Sequence, residues 1–146
     1  MAEPFSRVLQ VGWGDLDANQ HMRNTAYLDR SADVRMMYFL DRGFSMREFE
    51  RLRFGPVIRR DELEYFRELR LLDPLTVTLA CSGLSADLTR FRLRNEFFRA
   101  DGQMSARVIS HGGWLDLAAR KLTAPPPELA RCMEEMPRTD DFVEIP

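Results

Sequence analysis

The pattern of apolar and polar positions predicts a strand and then a long helix in the first part of the chain. Residues 5–12 form the expected strand, and a loop rich in turn-forming residues follows it. From residue 25 to about residue 41, apolar side chains recur at three- and four-residue steps, as at Leu28, Ala32, Met36 and Phe39. Because this apolar surface is wide, we expect the helix to be largely enclosed. Gly43 lies where a glycine cap would end it.

Two local signals predict a short second helix directly after the first. Ser45 and Glu48 have the spacing of a capping box, in which each side chain bonds the backbone N–H of the other residue. Phe44 and Phe49 occupy the two positions of a hydrophobic staple. Both signals indicate that a helix begins next to Ser45.

Beyond residue 55 the pattern changes to the two-residue period of strands. We expect extended segments over residues 55–69, 74–81, 89–98 and 103–117. Asp101-Gly102 predicts a hairpin turn of type I′ between the last two segments. Three prolines at 125–127 end the sheet and start a short helix at Glu128. The last ten residues, 137–146, have no periodicity and are expected to form a loose tail.

These elements predict one α+β domain spanning residues 1–146. An antiparallel sheet of about five strands would wrap around the single long helix. Such a sheet leaves unpaired edges, and pairing with the edge of a second copy would satisfy them. We therefore expect a homodimer, or a tetramer made of two such dimers.

The composition is that of an ordinary globular domain and excludes several classes of partner. Apolar residues make up 45% of the chain and charged residues 30%, and no apolar run is long enough to cross a membrane. The net charge of −2 indicates neither a nucleic-acid nor a membrane partner. Only two cysteines are present, and the N-terminus lacks the features of a secretory signal. We therefore expect a cytoplasmic protein.

The residues that carry chemistry are concentrated in the loop before the long helix, residues 12–24. Asp17 offers a carboxylate that can attack a carbonyl carbon or deprotonate a water molecule. Asn19 and His21 can orient that water or assist a leaving group. The first helical turn, at about Asn24, offers backbone N–H groups that stabilise negative charge on a carbonyl oxygen.

A purely architectural explanation of the same loop stays open. Asp and Asn side chains are common in turns because they bond local backbone groups. Asp15, Asp17 and Asn19 can all have that role, and Asn24 can be a simple helix N-cap.

This loop resembles the signature loop of the 4-hydroxybenzoyl-CoA thioesterase family, whose members have the hotdog fold. It also resembles the Asp-x-Asn-x-His-x-x-Asn segment of plant acyl-ACP thioesterases, here Asp17 to Asn24. The resemblance extends, in the same order, over most of the chain from Phe5 to Met133. The segments that carry it are residues 13–27, 55–65, 72–75 and 113–117.

The resemblance implies a hotdog thioesterase that acts on an acyl-CoA or acyl-carrier-protein thioester and uses no separate cofactor. The family's catalytic aspartate matches Asp17, as nucleophile or general base, and its polarising N–H matches the helix start at about Asn24. Asn19 and His21 match active-site residues of the plant enzymes. The 4-hydroxybenzoyl-CoA enzyme lacks both of those residue types, so its preference for aromatic substrates does not transfer.

Other polar residues supply secondary hypotheses. Asp29 and Asp33, one turn apart on the helix, are rival bases unless arginines pair with them. Arginines alternate along one predicted strand and offer a face for the CoA phosphates, or else a solvated sheet face. They are Arg90, Arg92 and Arg94. His111 is expected to make a cross-strand contact, and Glu62 and Glu64 to pair with arginines. With only two histidines and no Cys-x-x-Cys spacing, we expect no metal site.

Two rival functions keep the same fold. A hotdog hydratase or dehydratase would use an aspartate and a histidine five residues apart, whereas Asp17 and His21 are four apart. A non-catalytic acyl-binding protein would need none of these side chains for chemistry. Thiol release from acyl-CoA, loss of enoyl absorbance, and binding without turnover distinguish the three functions.

Overall fold

The computed structural model describes residues 3–146, which form seven strands and three α-helices. The elements in chain order are β1 (Phe5–Gln10), α1 (Asn24–Asp41), α2 (Met46–Leu52), β2 (Phe54–Tyr65), β3 (Pro74–Leu84), β4 (Arg90–Arg99), β5 (Met104–Asp116), β6 (Lys121–Leu122), α3 (Pro127–Glu135) and β7 (Arg138–Glu144). A 3₁₀ turn at Trp13–Asp15 lies between β1 and α1. No helix within residues 3–146 has the length and apolar character needed to cross a bilayer.

Five long antiparallel strands form the body of the sheet, in the order β1-β3-β4-β5-β2. This agrees with the predicted sheet, but two further strands extend it. The short β6 pairs with β5, and β7 pairs in parallel with β3 through Cys81 and Gly83. The expected loose tail is therefore wrong, because residues 138–144 form β7. Its contacts include an ion pair of 2.8 Å between Arg94 and Asp141.

The core lies between α1 and the concave face of the sheet. Helix α1 contributes Ala26, Val34 and Tyr38, none of which has any exposed surface. The facing strand residues are equally inaccessible and alternate along their strands, as the two-residue period predicted. They include Val77, Leu79, Phe97, Ala106 and Val108. The opposite side of α1 remains exposed at Asp29, Asp33 and Leu40, so the expectation that the helix is largely enclosed is wrong for half of its surface.

The helix ends show which local signals decided the structure. Gly43 has a φ of +79°, and Phe44 N–H donates to Phe39 O at 2.8 Å, as in a Schellman motif. The staple also forms, since the rings of Phe44 and Phe49 meet edge to face at 4.6 Å. The predicted capping box is wrong. Ser45 makes no side-chain cap, and the backbone N–H of Glu48 donates to the carbonyl of Ser45 instead, while the carboxylate of Glu48 accepts hydrogen bonds from Arg51.

The hairpin between β4 and β5 is where the sequence predicted it, but its turn is of a different type. A type I′ turn needs positive φ at both central residues, whereas Gly102, at +85°, has it and Asp101 does not. Gly102 N–H donates to Arg99 O at 2.9 Å, and the strand register shifts between Phe97 and Phe98. The turn therefore carries a bulge, which glycine at the left-handed position allows.

Candidate active site

Asp15 fixes the loop before α1 through two strong contacts. Its Oδ2 atom accepts a hydrogen bond from Gly12 N–H at 2.8 Å and one from Arg30 on α1 at 2.7 Å. Burial would raise the pKa of this carboxyl, but the hydrogen bonds from Arg30 and Gly12 outweigh it, so the pKa of Asp15 lies below its ordinary value. For Asp15, the architectural explanation is confirmed.

Arg23 joins the end of the same loop to the start of α1. Its guanidinium donates to the carbonyl of Gly14, to Thr25 Oγ1 at 2.9 Å and to Asp29 at 3.3 Å. Its backbone N–H donates to Asp15 O at 2.7 Å. This role could not be predicted from the sequence, because the partners of Arg23 lie on both sides of it in the chain and meet it only in the folded loop.

Asp17 has one carboxylate oxygen fixed and one free. Oδ1 accepts hydrogen bonds from the backbone N–H groups of Asn19 at 2.8 Å and His21 at 3.2 Å. Within residues 3–146, no hydrogen bond reaches Oδ2. The side chain is therefore held in a defined direction by the turn, while its second oxygen stays available to a substrate or a water molecule.

The start of α1 offers free backbone donors beside this carboxylate. Arg23 is the N-cap residue and makes no side-chain cap, so Asn24 is the first helical residue rather than the cap itself. In the described chain, the N–H groups of Asn24 and Thr25 donate no hydrogen bond. Free N–H groups at a helix start, with the positive end of the helix dipole, favour bound negative charge.

Asp17 and Asn24 line one open groove of about 350 Å³. His21 lines it as well, and aromatic side chains form the opposite wall. Among these, Tyr27 is fixed by a hydrogen bond of 3.0 Å with Ser105 and by edge-to-face contacts with Tyr65 and Phe97. Burial raises the pKa of Tyr27, so this phenol stays neutral at physiological pH. The groove thus has a charged side and a rigid, aromatic side.

The rim of this groove carries charges that the sequence did not single out. Arg67 and Glu68 complete its lining. The pKa of Glu68 lies below its ordinary value, mainly through its own backbone N–H and with a further contribution from the charge of His21. His21 and Glu68 therefore both belong to the lining of this groove.

A second cleft, of about 550 Å³, also has Asp17 in its lining. Its other lining residues include Trp13, which is 80% exposed, together with Leu16 and Leu71. Asp17 therefore lines two clefts, both of which contain apolar or aromatic residues.

The remaining predicted residues of this region lie away from the groove. Asn19 is exposed. Its backbone N–H donates a hydrogen bond to Asp17 Oδ1, and Asn19 is not among the residues that line the groove. Asp29 and Asp33 pair with Arg23 and Arg30, at 3.3 and 3.8 Å, and line neither cleft. Asp29 and Asp33 are therefore paired with arginines, which was the alternative to a role as rival bases.

The three strand arginines do not act as one set. Arg92 bonds Ser82, and Arg94 bonds Asp141 of β7. Arg90 donates to Pro146 O and borders a cavity of about 640 Å³ on the outer face of the sheet, whose lining includes Arg59, Arg120 and Lys121. No aspartate or glutamate belongs to that lining in the described part of the chain. Sequence spacing could not find this group of basic residues, since it comes from three separate segments.

The other polar predictions on the sheet are confirmed. His111 Nε2 lies 2.7 Å from Glu62, across the β2–β5 pair. Glu62 also lies 3.7 Å from Arg60, and Glu64 lies 4.0 Å from Arg107. These are surface pairs, and they account for both glutamates without chemistry.

Solved structures with the same fold include several proteins named as thioesterases. The chain is similar to hypothetical protein SAV2348 from Staphylococcus aureus, determined in complex with CoA, at 23% identity and a TM-score of 0.80 over 94% of this chain and 88% of that one. It is similar to Slr0204, a 1,4-dihydroxy-2-naphthoyl-CoA thioesterase from Synechocystis, at 19% identity and a TM-score of 0.80 over 91% of this chain and 97% of that one. It is also similar to YbaW, a probable thioesterase from Escherichia coli, at 23% identity and a TM-score of 0.76 over 90% of this chain and 98% of that one.

At these identities the likeness establishes the fold, which is the expected hotdog fold. A search of curated proteins found no match. The family model of the Thioesterase-like superfamily matches residues 11–132, a span that begins just before the Asp17 loop and ends within α3. The chain therefore belongs to the Thioesterase-like superfamily.

Proposed function

We propose that the protein hydrolyses acyl-CoA thioesters to the free acid and CoA. The observation that carries this proposal is the shared groove, whose lining includes both Asp17, with its free Oδ2, and Asn24, with its unpaired backbone N–H. A thioester carbonyl in the groove would direct its oxygen to the N–H of Asn24. Preorganised donors of this kind stabilise the negative charge that develops during attack.

Two routes use these groups. In the general-base route, Asp17 takes a proton from water while the water oxygen bonds the carbonyl carbon; the C–S bond then breaks, and the thiolate receives that proton. In the nucleophilic route, Oδ2 bonds the carbonyl carbon and the thiolate leaves, and water then cleaves the mixed anhydride. His21, on the lining of the same groove, would orient the water or assist the thiolate in both routes.

Asp17→Asn tests the proposal, because it keeps the shape of the turn and removes the base or nucleophile. We expect turnover of acyl-CoA, followed with a thiol-detecting reagent, to fall by at least about 100-fold. Asp33→Asn is the matched control: it changes an exposed carboxylate on α1 and should retain activity. Wild-type turnover in Asp17→Asn would remove Asp17 from the mechanism, and enoyl loss without thiol release would indicate a lyase.

We further propose that the basic cavity on the outer face of the sheet binds the phosphates of CoA. Arg90 would contribute as the sequence suggested, together with Arg120 and Lys121, because all three line the cavity, whereas Arg92 and Arg94 do not and bond Ser82 and Asp141 instead. Arg120→Glu/Lys121→Glu should raise KM for acyl-CoA about tenfold or more. It should leave hydrolysis of the same acyl group on N-acetylcysteamine, which lacks the phosphates, within about twofold. Arg47→Glu, an exposed change on α2, serves as the control. An equal loss on both thioesters would contradict this role.

Strand β2 offers a place for a second copy. It is the last strand of the main sheet path, and its pairing in the described chain is with β5 alone, so one edge of residues Phe54–Tyr65 is free. We propose that two copies pair through this edge, since an unpaired strand of this length favours addition of another. A two-fold axis would then place the two β2 strands antiparallel.

A further inference from the structure

An apolar cavity of about 120 Å³ lies between α1 and β2, away from the Asp17 groove. Met36, Phe39, Ile58 and Leu93 are among its lining residues. A cavity of about 150 Å³ with such walls holds a benzene molecule in another protein, so this one is large enough for a small organic group. The groove and the cavity lie along the same seam, because Tyr27 and Tyr65 line the first while Met36 and Ile58 line the second.

Two hydrogen-bond donors on the cavity's lining residues have no partner. Arg35 Nη1 and Trp114 Nε1 are fully buried, and in residues 3–146 neither donates to any acceptor. Burial lowers the pKa of Arg35, against the opposing effect of the Asp61 charge. A buried donor without an acceptor costs free energy, and the cost is larger when the donor belongs to a charged group.

The nearest internal explanation is an ion pair between Arg35 and Asp61, but Asp61 has another partner. Its Oδ1 accepts a hydrogen bond of 2.5 Å from Ser110 Oγ, which holds this side chain to β5. Arg35 instead uses its Nε to donate to Ser31 O at 3.2 Å. That bond directs the guanidinium towards the N-terminal end of α1. From Ser31 to Asn24 the helix rises about 10 Å.

We propose that this cavity receives the far end of the substrate's acyl group and that this end carries a carboxylate. The inference rests on the proposed thioesterase function. Arg35 would bind the carboxylate, whose geometry suits a planar guanidinium, and Trp114 N–H would supply a second donor. The apolar wall would enclose the intervening methylene groups. The preferred substrate is then the CoA thioester of a dicarboxylic acid.

The test compares two acyl groups of equal chain length. The wild-type protein should have a kcat/KM at least about tenfold higher for adipoyl-CoA than for hexanoyl-CoA, because the unpaired donors meet their acceptor in one of the two. Arg35→Met, which keeps the length of the side chain and removes its charge, should abolish that ratio. Arg35→Lys should restore part of it. Arg47→Met, exposed on α2, is the matched control and should leave the ratio unchanged.

A binding measurement keeps the outcome clear if an Arg35 variant fails to fold. The chain has two tryptophans, so in Trp13→Phe the emission reports Trp114 alone. Adipate should change that emission at concentrations where hexanoate does not. Equal hydrolysis of both CoA esters, or equal responses to both acids, overturns the assignment while thioesterase activity stands. If no acyl-CoA is hydrolysed, the proposed function fails, and the fluorescence result alone decides whether the carboxylate site exists.

Discussion

Replacing Asp15 by Asn should destabilise the protein measurably, because Asp15 joins the loop of residues 12–24 to α1. Its side chain is 13% exposed, and that of its partner Arg30 is 25% exposed, so solvent screens this pair only in part. Asn can still accept a hydrogen bond from Gly12 N–H but loses the charge-assisted bond of 2.7 Å to Arg30. Hydrogen bonds to charged groups contribute about 1.5–3 kcal/mol, so we expect a loss of about 2 kcal/mol in the free energy of unfolding.

The same substitution has a defined pH dependence. The folded-state pKa of Asp15 is lowered from 3.8, so its stabilising contribution is fully present above that pH and is lost as the pH falls through the folded-state value. Urea unfolding of wild type and Asp15→Asn should therefore differ by about 2 kcal/mol at neutral pH. The two curves should converge as the pH is lowered below 3.8. In a thermal scan the neutral-pH difference corresponds to a fall in Tm of about 4–8 °C.

Asp33→Asn is the matched control, because Asp33 pairs with the same arginine in a different environment. It lies 3.8 Å from Arg30, and its side chain is 52% exposed. Exposed pairs of this kind contribute little, typically below about 1 kcal/mol. An equal cost for the two substitutions would mean that Arg30 contributes through packing rather than through Asp15. A difference that persisted unchanged in acid would refute the assignment of the effect to the Asp15 charge.

Two further predictions follow from the site and from the sheet edge. Asn19→Ala should retain turnover within about threefold, because Asn19 gives Asp17 its backbone N–H and its side chain lies outside the groove; a loss as large as that of Asp17→Asn would show that the side chain takes part. Light scattering should give a dimer, and amide exchange along β2 should slow as the protein concentration rises through dimer formation. A monomer with concentration-independent exchange in β2 would exclude pairing through that edge.

Local signals in the sequence predicted the elements whose stabilising contacts are also local. Helix α1 begins within one residue of its expected start and ends at the expected residue, since Gly43 supplies the positive φ that the cap requires. The staple of Phe44 and Phe49 needs only neighbouring residues, and it forms. The capping box does not form: the carboxylate of Glu48 bonds Arg51 and its backbone N–H bonds the Ser45 carbonyl, two contacts that the Ser45–Glu48 spacing does not reveal.

Elements that depend on distant partners could not be predicted in this way. Strand β7 has no two-residue period. It forms because β1 covers β3 only as far as Leu79, which leaves the edge of residues 81–84 free, and because Arg94 pairs with Asp141. The proposed role of Asp17 comes from its carboxylate and from the resemblance of its loop to that of known thioesterases. The sequence did not suggest a role for Arg35, since an arginine on a helix is ordinarily exposed and only packing against β2 buries its Nη1 atom.

The two explanations that the sequence offered for the Asp17 loop describe one arrangement. The turn uses Oδ1 of Asp17, and by doing so it fixes the direction in which Oδ2 points. At the start of α1, too, a local structural feature leaves polar groups free. Ser, Thr, Asp or Asn at the N-cap would accept hydrogen bonds from the first-turn N–H groups and stabilise α1 by about 1 kcal/mol. Arg23 stands there instead, and a guanidinium has no acceptor, so those donors stay free beside the free carboxylate oxygen. In the proposed mechanism, the stability that α1 gives up at its start leaves these N–H groups free to bind the oxyanion.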